Sequence, residues 1–373
     1  MKMRMRTFLI LFVLAFTAFS LVSMEKVSAD SGQAHIADVQ FIDMVTFPTG
    51  TTFAGTEVGG LSAITYDPFR GVFYALSDDR SDINPARFYT VSINVSSGLG
   101  VEFLDVTYLK DMTGNLFASR SLDPEGMALL HPGQFMISSE GGASATPPIN
   151  PFVNRFNPDG YENKMLTIPD KFLPDGSELF GIRNNLAFES LTVQPDKKAI
   201  FTATENALWQ DGPKSTLTSE SPSRVLMFKL GSGRPGAEYV YMVSPIPFDS
   251  IPPGIFADNG LVELIALDNV GTFLAMERSF AVGVGNTIKL FEISTWGATD
   301  VSGYESLSGA SYTPMSKELV ADLADLGIDP DNLEGMAFGP MLDDGRQSLI
   351  LVSDNNFNPF QTTQFILVAV EFE

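Results

Sequence analysis

The chain has 373 residues, of which 45 are acidic and 23 are basic, so its formal net charge at pH 7 is −22. A surface this acidic repels nucleic acids and anionic membranes, and we expect neither as a partner. The absence of cysteine excludes a disulfide framework, a thiolate metal site and a cysteine nucleophile.

The first residues have the pattern of a secretory signal peptide. Basic residues precede an apolar run from Phe8 to Met24, and Val27-Ser28-Ala29 offers a cleavage site with small residues. We expect residues 1–29 to be removed and residues 30–373 to form one domain, secreted or periplasmic and free of the membrane. An uncleaved anchor is the alternative, although the apolar run is short for a membrane span.

A sequence repeat that predicts two strands joined by a turn occurs five times along the chain, and we call each copy a phrase. The copies are GLSAITYDPFRGVFYALSDD (Gly60 to Asp79), EGMALLHPGQFMISSE (Glu125 to Glu140), ESLTVQPDKKAIFTATE (Glu189 to Glu205), VELIALDNVGTFLAMER (Val262 to Arg278) and EGMAFGPMLDDGRQSLILVSD (Glu334 to Asp354). Apolar and polar residues alternate within the strands of each copy. Such a period is typical of β-propellers.

Two more strands follow each of the first four copies, which makes units of four antiparallel strands. They are ARFYTVSIN and VEFLDVTYL, FVNRFNPDG and NKMLTIPD, SRVLMFKLG and AEYVYMVSP, and NTIKLFEIS and KELVADLAD. The fifth copy is followed only by QFILVAVEFE, and HIADVQFIDMVTFP near the N-terminus can supply its missing strand. The sequence therefore predicts an all-β fold, a single five-bladed propeller of four-stranded blades closed by the N-terminal strand.

Two alternatives remain at this point. A six-bladed ring would need an extra sheet in the loops around Thr295 to Pro314. The segment from Ser316 to Leu326 has apolar spacing that also suits a helix, although its place in the unit corresponds to a strand.

The acids of the repeat should gather at one end of the propeller channel, because the first strand of a blade starts where the second strand ends. The first strands contribute Glu125, Glu189, Glu263 and Glu334, and the second strands contribute Asp78, Asp79, Glu140, Glu205, Glu277 and Asp354. Ten carboxylates this close repel one another unless a cation neutralises them. Oxygen ligands without sulfur favour a hard ion, and we expect Ca²⁺.

Within this set we expect distinct roles. Glu189 and Glu334 are the candidate catalytic residues, and the other eight acids are candidate metal ligands, with Glu205 and Glu277 also considered as bases. Arg80, Arg183 and Arg278 are candidates for binding an anionic group of the substrate. The competing interpretation is structural: the acids would accept backbone hydrogen bonds or cap turns, and the arginines would form ordinary ion pairs.

Serine-hydrolase chemistry has little support in the sequence. No G-x-S-x-G elbow occurs, and the two histidines are His35, near the N-terminus, and His131, in a turn that should lie far from the acids. Ser62 and Ser190 could act as nucleophiles only with a base other than histidine.

Several phrases of the repeat resemble a known family. GGLSAITYDP with YALSDDRS, LDPEGMAL with ISSEG, NNLAFESLTVQPD with FTATENAL, and DNLEGMAFGP with LILVSDNNF resemble the phytase-like family, also called esterase-like activity of phytase. The resemblance extends from about Gly59 to Leu367. It implies a secreted bacterial β-propeller with phosphoesterase or esterase activity.

The resemblance and the acidic channel together favour an enzyme that hydrolyses ester bonds. Our leading hypothesis is a calcium-dependent phosphomonoester hydrolase, acting as a monomer on a small phosphoester such as phytate. A metal-free carboxylesterase and a non-catalytic, calcium-stabilised propeller that binds a ligand are the alternatives.

Overall fold

The computed structural model describes residues 32–131 and 133–373, and its compact unit comprises Gln33–Glu373. The segment predicted to be a signal peptide, residues 1–29, lies outside the described residues. None of the helical structure in the described part of the chain has the length and hydrophobicity needed to cross a bilayer.

The described residues form five four-stranded antiparallel sheets. Blade 1 contains β4 (Leu61–Asp67), β5 (Val72–Ser77), β6 (Arg87–Asn94) and β7 (Gly100–Tyr108). Blade 2 contains β8 (Pro124–His131), β9 (Gln134–Ser139), β10 (Phe152–Phe156) and β11 (Glu162–Met165). Blade 3 contains β12 (Phe188–Val193), β13 (Ala199–Thr204), β14 (Ser221–Lys229) and β15 (Arg234–Val243).

The remaining two blades complete the ring. Blade 4 contains β16 (Ala257–Ala266), β17 (Thr272–Ala281), β18 (Gly285–Ser294) and β19 (Ser316–Asp322). Blade 5 contains β20 (Leu333–Met341), β21 (Gln347–Ser353), β22 (Thr362–Phe372) and β1 (Ile36–Pro48). A two-stranded ribbon, β2 (Thr52–Phe53) with β3 (Thr56–Glu57), and one 3-10 turn at Asp170–Phe172 complete the regular structure of the described residues.

The five first strands, β4, β8, β12, β16 and β20, lie next to one another around the central channel. The ring closes in blade 5, where β1 pairs with β22 along nearly its whole length, from Ile36 opposite Phe372 to Pro48 opposite Thr362. The predicted five-bladed propeller with closure by the N-terminal strand is confirmed.

The pleat of each sheet explains the strongly apolar second strands. Successive side chains point to opposite faces, so in β17 Leu274 and Met276 pack towards blade 5 while Phe273 and Ala275 pack towards blade 3. The same division recurs around the ring, and each of the five interfaces between neighbouring blades has its own hydrophobic cluster. Both faces of a blade are therefore buried, which holds the mouth of the channel on a rigid frame.

The two remaining alternatives for the architecture are wrong. Residues 295–315, which the structure describes in full, form no strand and so supply no sixth sheet. The segment that could also suit a helix begins with strand β19 at Ser316, because pairing with β18 prevails over the local apolar spacing.

Candidate functional site

Each first strand has a β-bulge close to its start, at the same end of the channel. The pairing with the second strand shifts register between Leu61 and Ala63 in blade 1, and at equivalent places in the other four blades. We call the first skipped residue the bulge position; it is occupied by Ser62, Glu125, Glu189, Val262 and Glu334, and in blade 2 Gly126 is skipped as well. A bulge re-aims the side chain it carries and often adjoins a functional site.

A second ring of equivalent residues follows directly after the paired end of each second strand. We call this the rim position; it is occupied by Asp78, Glu140, Glu205, Arg278 and Asp354. Its backbone NH bonds to the residue two before the bulge, as in Glu140 N to Asp123 O at 2.9 Å and Asp354 N to Asn332 O at 2.9 Å. Four blades thus present an acid at the rim, and blade 4 presents an arginine.

The third ring is the residue two before the bulge, which we call the entry position. It is occupied by Gly60, Asp123, Ala187, Gly260 and Asn332. Glycine leaves room for a neighbouring rim acid, because a Cβ added at Gly60 would overlap Asp78 and one added at Gly260 would overlap Glu205.

The three rings and one neighbouring residue bring nine carboxylates together, and we call this set the acidic mouth. It consists of Asp78, Asp123, Glu125, Glu140, Glu189, Glu205, Asp258, Glu334 and Asp354. Asp123 and Asp258 are absent from the residues predicted by sequence. Asp123 could have been found by aligning DPEG with NLEG of the fifth copy, whereas Asp258 has no counterpart in the repeat.

Burial and mutual repulsion raise the pKa values of these acids. Burial raises the pKa of Asp123 to about 6, against the opposing effect of Arg80. Burial and repulsion by Asp123 raise the pKa of Glu140 to about 7, and burial raises the pKa of Glu205 to about 8 although Arg278 opposes the shift. Charge in the acidic mouth is therefore unfavourable unless a cation balances it.

Two arginines already balance part of this charge. Arg278 lies 3.2 Å from Glu334, 3.6 Å from Glu205 and 3.6 Å from Asp258, with only 13% of its side chain exposed. Arg80 donates through Nε to Asp123 at 2.7 Å and through Nη2 to Asn185 at 2.9 Å. Both were predicted as substrate-binding residues, and the structure places both at the acidic mouth.

Three carboxylates lie close enough to share a cation. Ligand atoms of Asp123, Glu125 and Glu140 all lie within 4.8 Å of one another, and all three side chains are buried. Nearby in the acidic mouth, Asp78 Oδ1 is buried and has no hydrogen-bond partner among the described residues. A donor set made only of carboxylates fits a hard cation such as Ca²⁺.

A cavity of about 660 Å³ opens at the acidic mouth, over blades 3 to 5. Its lining includes Glu205, Arg278 and Glu334, amide side chains such as Asn332, and the ring of Phe256. Charged, amide and aromatic groups converging in one cavity are typical of a small-molecule site.

Four predicted residues lie outside the acidic mouth. Asp79 follows the rim position and turns back into blade 1, where it accepts from Arg87 at 2.7 Å and caps the backbone NH groups of residues 82–84. Arg183 stacks on Trp209, with its guanidinium carbon 3.7 Å from the ring centroid, and donates to backbone carbonyls.

The other two, Glu263 and Glu277, differ from expectation by one residue of register. The bulge of blade 4 falls at Val262, and the rim position falls at Arg278. A slip of one residue moves a side chain to the opposite face of a strand. Glu277 accordingly accepts from Tyr241 Oη at 2.7 Å and from Lys317 Nζ at 2.5 Å.

Glu263 points into the channel below the acidic mouth. It accepts from the backbone NH of Leu264 at 2.9 Å and of Leu191 at 3.2 Å, so it bridges two first strands. Burial raises the pKa of Glu263 well above its ordinary value, against the effect of these bonds. Its contacts are those of a structural acid.

Comparison with solved structures finds chains of low sequence identity. The periplasmic gluconolactonase of Pseudomonas aeruginosa is 12% identical, with coverage of 85% of this chain and 89% of that chain and a TM-score of 0.37. A mutant of a GH43 protein from Bacillus licheniformis is 11% identical, with coverage of 87% and 56% and a TM-score of 0.43.

Among curated proteins, an uncharacterized secreted protein of Arthroderma benhamiae is 26% identical over 152 residues. The match covers 34% of this chain, and the chain spans 28% of the length of that relative.

The sequence model of one family matches most of the chain. It is described as phytase-like, esterase-like activity of phytase, and it matches residues 56–357. The match begins in the ribbon before blade 1 and ends just beyond β21, so it includes the bulge, rim and entry positions of all five blades. The chain belongs to the phytase-like family.

Proposed function

We propose that this protein is a secreted ester hydrolase that cleaves phosphomonoesters at the acidic mouth with the help of bound Ca²⁺. The observation that carries the proposal is an acidic mouth that holds both a buried cluster of Asp123, Glu125 and Glu140, paired with Arg80, and a cavity of about 660 Å³ lined by Arg278. Membership of the phytase-like family supports an esterase class. The name of the Arthroderma benhamiae relative, a secreted protein, supports export of this chain, and removal of residues 1–29 is part of the proposal.

The cation would be held by Asp123, Glu125 and Glu140. When bound, Ca²⁺ neutralises the carboxylates around it and polarises oxygen atoms of the substrate. Asp78 and Asp354 belong to the same acidic mouth and are the further ligands we propose.

Arg278 and Arg80 would orient the phosphate group. Arg278 lines the cavity, and its Nε is buried without a hydrogen-bond partner among the described residues. A guanidinium offers paired donors that match phosphate oxygens. An anionic group that enters the cavity would accept hydrogen bonds from guanidinium NH groups that do not donate to the surrounding acids.

Glu334 and Glu189 are the proposed proton carriers. Both occupy bulge positions, and Glu334 lines the cavity next to Arg278. Glu334 would accept a proton from the attacking water as its oxygen bonds to phosphorus. The ester P–O bond then breaks, and Glu189 would return a proton to the leaving alkoxide.

The test is an activity panel on residues 30–373 with phytate, p-nitrophenyl phosphate and p-nitrophenyl acetate, after chelation and after return of Ca²⁺. We expect phosphatase activity that requires Ca²⁺, and Glu334→Gln should lower kcat by about 10²-fold or more with little change in KM. Glu318→Gln, on the outer strand β19, is the matched control. Equal phosphatase activity with and without Ca²⁺ refutes the proposal.

The same panel separates the alternatives. Turnover of the acetate ester in chelator would indicate a metal-free carboxylesterase. The hydrogen bonds of the two candidate serine nucleophiles weigh against it, because Ser62 donates to the carbonyl of Pro124 and Ser190 accepts from the NH of Ala203. Stabilisation by Ca²⁺ without turnover of any ester would instead identify a ligand-binding propeller.

A further inference from the structure

A second cavity lies between blades 2 and 3, at the end of the channel opposite the acidic mouth. Its volume is about 240 Å³, and Leu130, Leu166 and Leu230 form part of its wall. Leu130 is near the end of β8, and the cavity also reaches the turn between β12 and β13. We call this cavity the basic groove, because three cationic side chains also line it.

The cations come from both blades. Arg155 on β10 is paired directly with Lys164 on β11, and Met136 on β9 pairs with Arg155 from the other side. Residues paired in this way share one face of a sheet. Lys197 comes from blade 3 and donates to the carbonyl of Leu129 in blade 2 at 3.1 Å.

Lys164 spans the groove towards blade 3. A Cβ added at Gly233, in the turn between β14 and β15, would lie 2.8 Å from Lys164 Nζ. The ammonium group therefore lies against the far wall, and its apolar stem crosses the groove near Leu166.

Within the residues that the structure describes, none of the three cations forms an ion pair. Like charges directly opposite each other on neighbouring strands destabilise a sheet. The chain has 45 acidic and only 23 basic residues, so it has no general excess of positive charge. The gathering of three cations without ion pairs in one groove therefore needs a specific explanation.

We propose that the basic groove binds a small amphipathic anion, a carboxylate or phosphate group attached to a short apolar chain. The cations recognise the charged group, and the leucines cover the apolar part. The volume lies below the range of about 300 to 1,000 Å³ that drug-sized ligands occupy, so the ligand is small. This site is independent of the ester hydrolysis proposed at the opposite end.

The experiment uses hexanoate as the probe and measures its binding to residues 30–373 by isothermal titration calorimetry at low ionic strength. Hexan-1-ol lacks the charge, and acetate lacks most of the apolar chain. We expect hexanoate to bind at least about tenfold more tightly than either, as loss of one charge-assisted contact predicts. Hexanol or acetate binding as tightly as hexanoate overturns the proposal, and so does no detectable binding of hexanoate.

Variants locate the site. Lys164→Gln should weaken hexanoate binding about tenfold, and Lys214→Gln, in an exposed loop outside the groove, should leave it unchanged. Gly231→Trp fills the groove, and a Cβ there meets nothing within 4 Å, so folding should be unaffected. Unchanged hexanoate affinity in the folded Gly231→Trp protein would place binding elsewhere and refute the basic groove.

Discussion

Arg278 occupies the rim position at which the other four blades carry an acid, so its removal should expose the repulsion within the acidic mouth. The change we consider is Arg278→Met, which keeps the apolar stem and removes the guanidinium. Two unit charges 3.6 Å apart attract by about 5 kcal/mol at an effective dielectric constant near 20. Desolvation offsets part of this, and loss of one partner from a buried pair costs about 3 to 5 kcal/mol.

The cost should depend on pH, because Arg278 stabilises its neighbours only when they are ionised. Burial raises the pKa of Glu205 to about 8 and also raises the pKa of Glu334. In chelator, we therefore expect Arg278→Met to lose about 3 to 5 kcal/mol of unfolding free energy at pH 9. At pH 5, well below the pKa of Glu205, that carboxyl is protonated, and the loss should be clearly smaller than at pH 9.

Urea denaturation followed by circular dichroism measures both values. Arg120→Met is the control, because Arg120 is 78% exposed and pairs with Asp82 at the surface, where an ion pair contributes about 0 to 1 kcal/mol. Arg278→Met combined with Glu334→Gln should recover part of the loss at pH 9, since one repelling charge is gone. Equal losses for Arg278→Met at pH 5 and pH 9, or a loss at pH 9 no larger than that of Arg120→Met, would refute this reasoning.

Three further predictions concern the acidic mouth. Chelation should lower the Tm and Ca²⁺ should restore it, and Glu140→Gln should remove most of this increase in Tm with Ca²⁺. If Ca²⁺ raises the Tm of Glu140→Gln as much as that of the unaltered protein, Glu140 is not a calcium ligand. In chelator, the unfolding free energy should fall as the pH rises from about 5 to 9, because burial raises the folded-state pKa of Asp123 to about 6 and of Glu205 to about 8, above their unfolded values. An unfolding free energy that rises over this pH range in urea titrations would contradict the prediction. Gly260→Ala should destabilise the fold by about 1 to 3 kcal/mol because its Cβ overlaps Glu205, while Gly303→Ala, with nothing within 4 Å, should not; equal urea midpoints would count against the packing argument.

The repeat was sufficient to predict the blades, their number and the closing strand, because alternation and turns are local signals. It was also sufficient to place Glu125, Glu189 and Glu334 at one end of the channel, since these acids open the phrase in three copies. The structure brings all three into the acidic mouth.

Blade 4 shows why Glu263 and Glu277 could not be assigned in the same way. Its phrase VEL suggests Glu263 as the counterpart of Glu125, but the bulge falls one residue earlier, at Val262. The same shift exchanges Glu277 for Arg278 at the rim. A bulge changes which face a side chain occupies without changing the alternation of apolar and polar residues, so the sequence pattern carries no sign of it.

Blade 5 also determines the order in which the protein can assemble. Its sheet joins β1 to β22, and the backbone NH of Glu373 bonds to the carbonyl of His35 at 3.0 Å. The first and last strands of the ring are therefore partners, and closure has to wait until both are present. Because these two strands are paired, a circular permutant can join residues 373 and 33 by a short linker and open new ends in an exposed loop. In such a permutant the closing pair would become an ordinary hairpin of neighbouring strands, and the long-range step of folding would move to another blade.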